Sequence, residues 1–159
     1  MSDRLLELMG FPAPLLKARD VVSGSLNAVP FMSFEYEYYF MRNRNPDIHT
    51  VVAFMAEREI FPWFSLAPRN MLGKILPQAD DRFPERPEFS KSCLVVGEEQ
   101  PMKTFFSPEK MDFFIRNNDW SLAGRGKWLL VYKAGVQQPQ DRYMPFLHEA
   151  KQVFDIVCA

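Results

Sequence analysis

Two thiols, two imidazoles and two closely spaced carboxylate pairs are the groups of this chain whose types and spacing could suit covalent or proton-transfer chemistry. Cys93, in the apolar run CLVV, could act as a nucleophile with His49 as its base. The same thiol also reads as a small core hydrophobe on a strand. No helix N-terminus or local cation marks it for a lowered pKa. Cys158 stands one residue from the last position, and His148 lies beside Glu149, off the apolar stripe of a helix. His49 opens a strand after a polar loop, where a surface imidazole is the plain reading. Two histidines, and two cysteines far apart without CxxC spacing, suggest neither a zinc site nor a disulfide framework. No metal and no cofactor is therefore expected. The pairs Glu35/Glu37 and Asp80/Asp81 could serve as acid and base. Glu35 and Glu37 recur on one side of a strand, roughly 7 Å apart, and read as an acidic solvent face; Asp80 and Asp81 read as solvated loop residues. GRG at 124–126 turns a hairpin and is too short to cradle a phosphate.

The remaining side chains allow a reading as recognition groups, set against one as core. In FPWFSLAP, alternation sends Phe64 and Leu66 one way and Trp63 the other. With Phe64 inward, Trp63 faces out near Arg69, and an exposed Trp beside an Arg is the chemistry of an interface anchor. The competing reading buries Trp63 beneath a helix. Tyr39, with Arg42 and Arg44 in the polar loop after it, completes the candidate contact set. The function expected is that of a non-catalytic binding or protein-interaction domain. The alternative is a small enzyme with a dispersed site around Cys93 and His49. A homodimer through an uncovered sheet edge or aromatic patch is compatible with either.

Charge narrows the partners. Net charge is −1, and the longest basic cluster is Arg42 with Arg44, so the Lys/Arg density that displaces counterions from nucleic acid is missing. The N-terminal MSDRLLELMGF has too short an apolar run for a signal peptide. No run reaches the eighteen or so apolar residues of a membrane span. A reducing, cytoplasmic setting follows as the expectation. With 47% hydrophobic and 25% charged residues, the 159-residue chain suits one soluble domain over 1–159.

The elements that must position these groups are legible in outline. Ser2 caps a short helix that stops at Gly10, an N-terminal arm over 1–18. Residues 19–26 read as a strand and Asn27-Ala28 as its turn. In the strand that follows, Met32, Phe34, Tyr36, Tyr38 and Phe40 alternate with Ser33, Glu35, Glu37 and Tyr39, so the aromatic row is expected to face the core. A polar loop over 41–49 leads to HTVVAFMAE, apolar on both faces and so central. FPWFSLAP, bounded by Pro62 and Pro68, suits an edge strand or a strand end. RNMLGKIL reads as a short helix, and 77–88 as a Pro-rich connecting loop within the single domain. FSKSCLVVGEE is read as a strand, residues 102–106 as another short one. Ser107, Pro108 and Glu109 begin a helix. WSLAGRGKWLLVYKAG is a hairpin turning at Gly124-Arg125-Gly126. Tyr143, Phe146, Leu147, Ala150, Val153, Phe154 and Val157 form one face of a C-terminal helix. The fold class is α+β: a mainly antiparallel sheet of about six to eight strands, packed by a mid-chain helix and a long C-terminal helix.

From about residue 20 onward the chain resembles a bacterial domain family of uncharacterised function. Its pattern runs from FDYxY through LPxFxLRPE and PEFSxxYxLxG to LFTPE and a closing tryptophan hairpin. The matching stretches here are FEYEY at 34–38, FPWFSLAPR at 61–69, PEFSKSCLVVG at 87–97, FFSPE at 105–109 and WSLAGRGKWLLVY at 120–132. Ala67 and Arg69 take the places of Arg and Glu in that pattern, and DDRF at 80–83 that of a DIDF-like run. The resemblance implies the order of elements and a soluble domain. It implies no activity.

Overall fold

Two successive residues with positive φ, Asn27 at 50° and Ala28 at 64°, reverse the chain between its first two strands. That is the twist a two-residue hairpin turn needs to match its strands. The computed structural model describes residues 17–38, 47–69 and 82–159. In chain order these residues form β1 (Lys17–Leu26), β2 (Val29–Tyr38), β3 (Asp47–Met55), β4 (Phe61–Pro68), α1 (Pro87–Ser92) and β5 (Cys93–Gly97). Then come α2 (Glu99–Phe105), α3 (Pro108–Arg116), β6 (Ser121–Gly126), β7 (Trp128–Tyr132) and α4 (Tyr143–Cys158). The strands make one sheet in the order β1-β2-β3-β7-β6-β4-β5, antiparallel throughout. The architecture is the expected α+β sheet with mid-chain helices and a long C-terminal helix. The N-terminal helix, Tyr39, Phe40, most of the polar loop, RNMLGKIL and the first part of the Pro-rich stretch lie outside the described residues.

Local chemistry accounts for the best-signalled elements. Ser107 Oγ accepts a hydrogen bond from the Lys110 N–H, and Pro108 occupies the first turn of α3, where its missing N–H costs nothing. Phe146, Leu147, Ala150, Val153, Phe154 and Val157 recur at helical spacing on α4 and are all buried. β3 is covered on both faces, with Val51, Val52, Ala53 and Phe54 at 2% exposure or less, as its continuous apolar run requires.

The sheet buries both faces, which alters the expected role of the aromatic row. Val52, Phe54, Phe64, Leu66, Leu122, Leu129 and Val131 turn to the helices and meet Phe89, Met102, Phe106, Phe114 and the α4 stripe. Phe31 of β2 packs against this main core. Phe34 and Tyr36 are buried in a second, smaller cluster with Val51, Ala53, Ala123 and Leu130, on the opposite face. β2 therefore carries a core residue on each side. Glu35 and Glu37 form no open acidic face: both are half-buried, Glu35 Oε1 accepting from Thr50 Oγ1 at 2.7 Å and Glu37 pairing with Arg19 at 2.6 Å.

Three further assignments change. Residues 87–92 are helical rather than extended, Pro87 starting α1 and Phe89 sinking into the core; the strand begins only at Cys93. Residues 102–105 belong to α2, not a strand. Met102, Phe105 and Phe106 sit three and four apart, which brings them to one side of a helix; Phe106 lies within 6.5 Å, centroid to centroid, of the Phe64, Phe83, Phe89, Phe105 and Phe114 rings. β4 is not an edge, being paired with β5 and β6. Pro62 is tolerated because a bulge interrupts the ladder there: Phe61 faces Gly126, but the next partners are Phe64 and Gly124.

The true edges are guarded. β1 has a register shift between Arg19 and Val22, with Asp20 at φ 52°. At β5 the Arg82 guanidinium donates to the Gly97 carbonyl at 3.0 Å and reaches the Val95 carbonyl at 3.4 Å, capping backbone groups that could otherwise pair. Among the described residues no helix is long and apolar enough to cross a membrane.

Candidate functional site

The thiol and the imidazole are not brought together. Cys93 sits under the helices at 2% exposure, its Sγ 3.9 Å from the Phe114 carbonyl. Burial pushes its pKa up to about 12, against a weaker opposing pull from Arg69. His49 lies on the other face of the sheet, and β7, β6 and β4 stand between β3 and β5. Four strand spacings amount to about 19 Å. A thiolate that the imidazole cannot reach gains nothing from it.

His49 is a core histidine, not a surface one. Its ring stacks on Tyr36 at 5.9 Å with a 6° interplanar angle and leans on Tyr132 at 5.3 Å. Nδ1 accepts the Gly135 N–H at 2.6 Å, which assigns the ring hydrogen to Nε2. The same stretch of chain is tied down twice more: Thr50 N–H to the Val136 carbonyl at 3.1 Å, and Gln138 N–H to Thr50 Oγ1 at 2.7 Å. Burial lowers the His49 pKa to about 4, with Asp47 pulling the other way. The imidazole is a neutral peg that fastens the segment after β7 to β3.

The open feature lies at the end of the sheet where the β6–β7 hairpin turns. Gly126, at φ 60°, makes that turn, and the β3–β4 connection passes beside it. Between these turns and α2 runs a groove of about 1150 Å³. Phe61, Pro62, Pro101, Phe105 and Trp128 supply its apolar walls, and Glu59, Lys110, Arg125 and Lys127 are the charged residues among its described lining. Cations outnumber carboxylates among the described lining residues, in a chain whose net charge is −1. Lys110 is half-buried with its ammonium 4.4 Å from the centre of the Phe105 ring, a cation–π contact. It makes no ion pair among the described residues. Burial holds its pKa below the ordinary lysine value.

Trp63 borders this end of the sheet. Phe61 and Phe64 both turn to the helices, so the bulge residues between them turn to the other face. Trp63 is 46% exposed there, the outward reading of the two. Strand alternation puts Arg125 on that face too, opposite the bulge, with Trp128 as its partner across the hairpin. By strand register, the arginine opposite the bulge is Arg125. Arg69, six residues further along and so about 20 Å away, turns under α1, where its Nε donates to the Ser90 carbonyl. The Ser90 carbonyl of α1 claims the guanidinium that was expected beside Trp63. Tyr39, Arg42 and Arg44 lie outside the described residues.

The residues that sequence reading missed are Lys110, Lys127, Trp128 and Arg125. Arg125 was visible only as the middle of a turn. A hairpin tip with Arg, Lys and Trp in four positions was the available signal. No group of three or more His, Cys, Asp or Glu that could hold a metal ion occurs among the described residues. Compared with protein-family models, with curated proteins and with solved structures, the chain finds no match.

Proposed function

We propose that this chain is a non-catalytic binding domain of the cytoplasm, and that its ligand seats in the groove between α2 and the two turns. The observation that carries this reading is the pairing of a large open groove with a half-buried ammonium on its wall that makes no ion pair among the described residues. Apolar walls with a few placed polar groups are the general make-up of a binding site. Trp63, 46% exposed, extends the surface beyond the groove, and tryptophan is a residue type that anchors interfaces. An enzyme built on Cys93 and His49 would need a contact across the sheet that the strand order forbids. The cytoplasmic setting rests on two free cysteines.

A ligand-independent experiment tests the reading. Ligand-observed NMR with a set of neutral, acidic and basic aromatic fragments should find binders for the wild-type chain. Thr104→Trp, at an exposed position on the groove wall, should displace them while leaving the circular dichroism spectrum unchanged. Fragments that bind equally well to Thr104→Trp would place the binding surface elsewhere.

A further inference from the structure

Resting on the reading of the groove as the binding surface, we propose that its occupant is an acidic peptide segment of a protein partner, with carboxylates interleaved among aromatic or aliphatic side chains. Charge selects the acid. Lys110 from α3 and Lys127 from the hairpin tip both line the groove, and among the described lining residues Glu59 is the one carboxylate. The net charge of the whole chain does not produce this field; it is local to one end of the sheet. Lys110 sharpens the point. Half-buried and resting on an aromatic ring, its ammonium has given up part of its hydration without gaining an ion pair among the described residues. An incoming carboxylate would find a donor already partly desolvated, so less of its attraction is lost to water.

Shape and apolar content select a peptide over a small ion. An inorganic anion would use the cations and leave the Phe61, Phe105, Pro62, Pro101 and Trp128 surfaces uncovered. A volume of about 1150 Å³ exceeds what one carboxylate or phosphate fills. Alternation of acidic and apolar side chains places the first toward the cationic rim and the second toward the aromatic walls. Single-stranded nucleic acid also presents anions and rings, but its backbone needs a continuous positive track. Here three cations sit around one recess, beside a carboxylate.

Fluorescence anisotropy tests the proposal. The probe is a short fluorescein-labelled peptide alternating Glu with Phe and Leu; its counterparts carry Lys or Gln at every Glu. The acidic peptide should bind about tenfold more tightly than the Gln version, and the Lys version should not compete. Lys110→Met, which keeps an apolar stem over Phe105, and Arg125→Gln and Lys127→Gln should each weaken binding by about three- to tenfold, and added salt should weaken it further. Thermal melts of the three variants confirm that each remains folded. Equal binding of the acidic and basic peptides, or variants that bind as the wild type does, would overturn the proposal. So would an oligothymidylate that outcompetes the acidic peptide, or no anisotropy change up to millimolar protein. Failure here with fragments still held in the groove removes the acidic partner and leaves the binding surface. Loss of fragment binding removes both.

Discussion

His49 and Lys110 are both cationic-type groups pulled below their ordinary pKa by burial, yet they are set into opposite surroundings. The imidazole is closed on three sides by Tyr36, Tyr132 and the Gly135 amide. Its acceptor nitrogen has a partner, and neutrality is what makes that partner possible. The ammonium stays charged on a groove wall, with an aromatic ring beneath it and open volume beside it. Burial alone therefore does not mark a functional group in this fold. What separates the two is whether the described residues answer the group's polar atoms.

The largest way to break the comparison is to remove the closed partner. His49→Ala deletes a ring stacked between two tyrosines and leaves the Gly135 N–H without its acceptor, a loss of roughly 3–5 kcal/mol in urea denaturation. Lys110→Met should cost under about 1 kcal/mol, since it loses a part-exposed cation–π contact and keeps the stem. Comparable losses at both sites would show that the groove lysine is structural.

Acid probes the same contrast without mutation. In the unfolded chain His49 takes up its proton near pH 6.5, in the folded chain only near 4. Between those values the unfolded chain binds more protons, so this residue's contribution falls as pH drops through that window and is fully lost below about 4. The whole change is ~3 kcal/mol. His49→Gln cannot charge, so its melting temperature should decline less steeply than the wild type's from pH 6.5 to 4. Parallel curves would mean that His49 titrates normally.

Smaller effects follow on the open side. Trp63→Ala, at a 46% exposed position, should change stability by about 0.5 kcal/mol or less while weakening capture of the acidic peptide. The smallest effect expected is none at all: native Cys93, buried and with its pKa near 12, should resist iodoacetamide until denaturant is added. Rapid native labelling at Cys93 would revive the thiol chemistry.

Elements with local signals were legible in the sequence: the Asn27-Ala28 turn, the Ser107-Pro108 helix start and the α4 stripe each carry their cause within a few residues. The α1 and α2 helices were not, because FSKSCLVV joins a one-turn helix to a strand without a breaker. Pro87 marks where α1 starts, but the packing of Phe89 and Met102 into the phenylalanine cluster is a contact that no local pattern announces. Alternation in β2 correctly signalled a strand but could not say that both faces of the sheet are buried. The groove was the least legible feature. Its walls come from residues 59–62, 100–110 and 125–128, which share no sequence pattern and meet only when β4 pairs with β6. Arg69 misled for the same reason: nearness along a strand is not nearness of side chains.

Mapping by backbone-amide NMR gives the most direct test of the groove. Titrating the acidic peptide into nitrogen-15-labelled chain should shift the amides around Gln100, Thr104, Lys110, Arg125, Lys127 and Trp128, and leave those flanking His49 and Cys93 in place. Shifts centred on β1 to β3, or spread evenly over the sheet, would contradict the assignment of this groove as the site where a ligand is held.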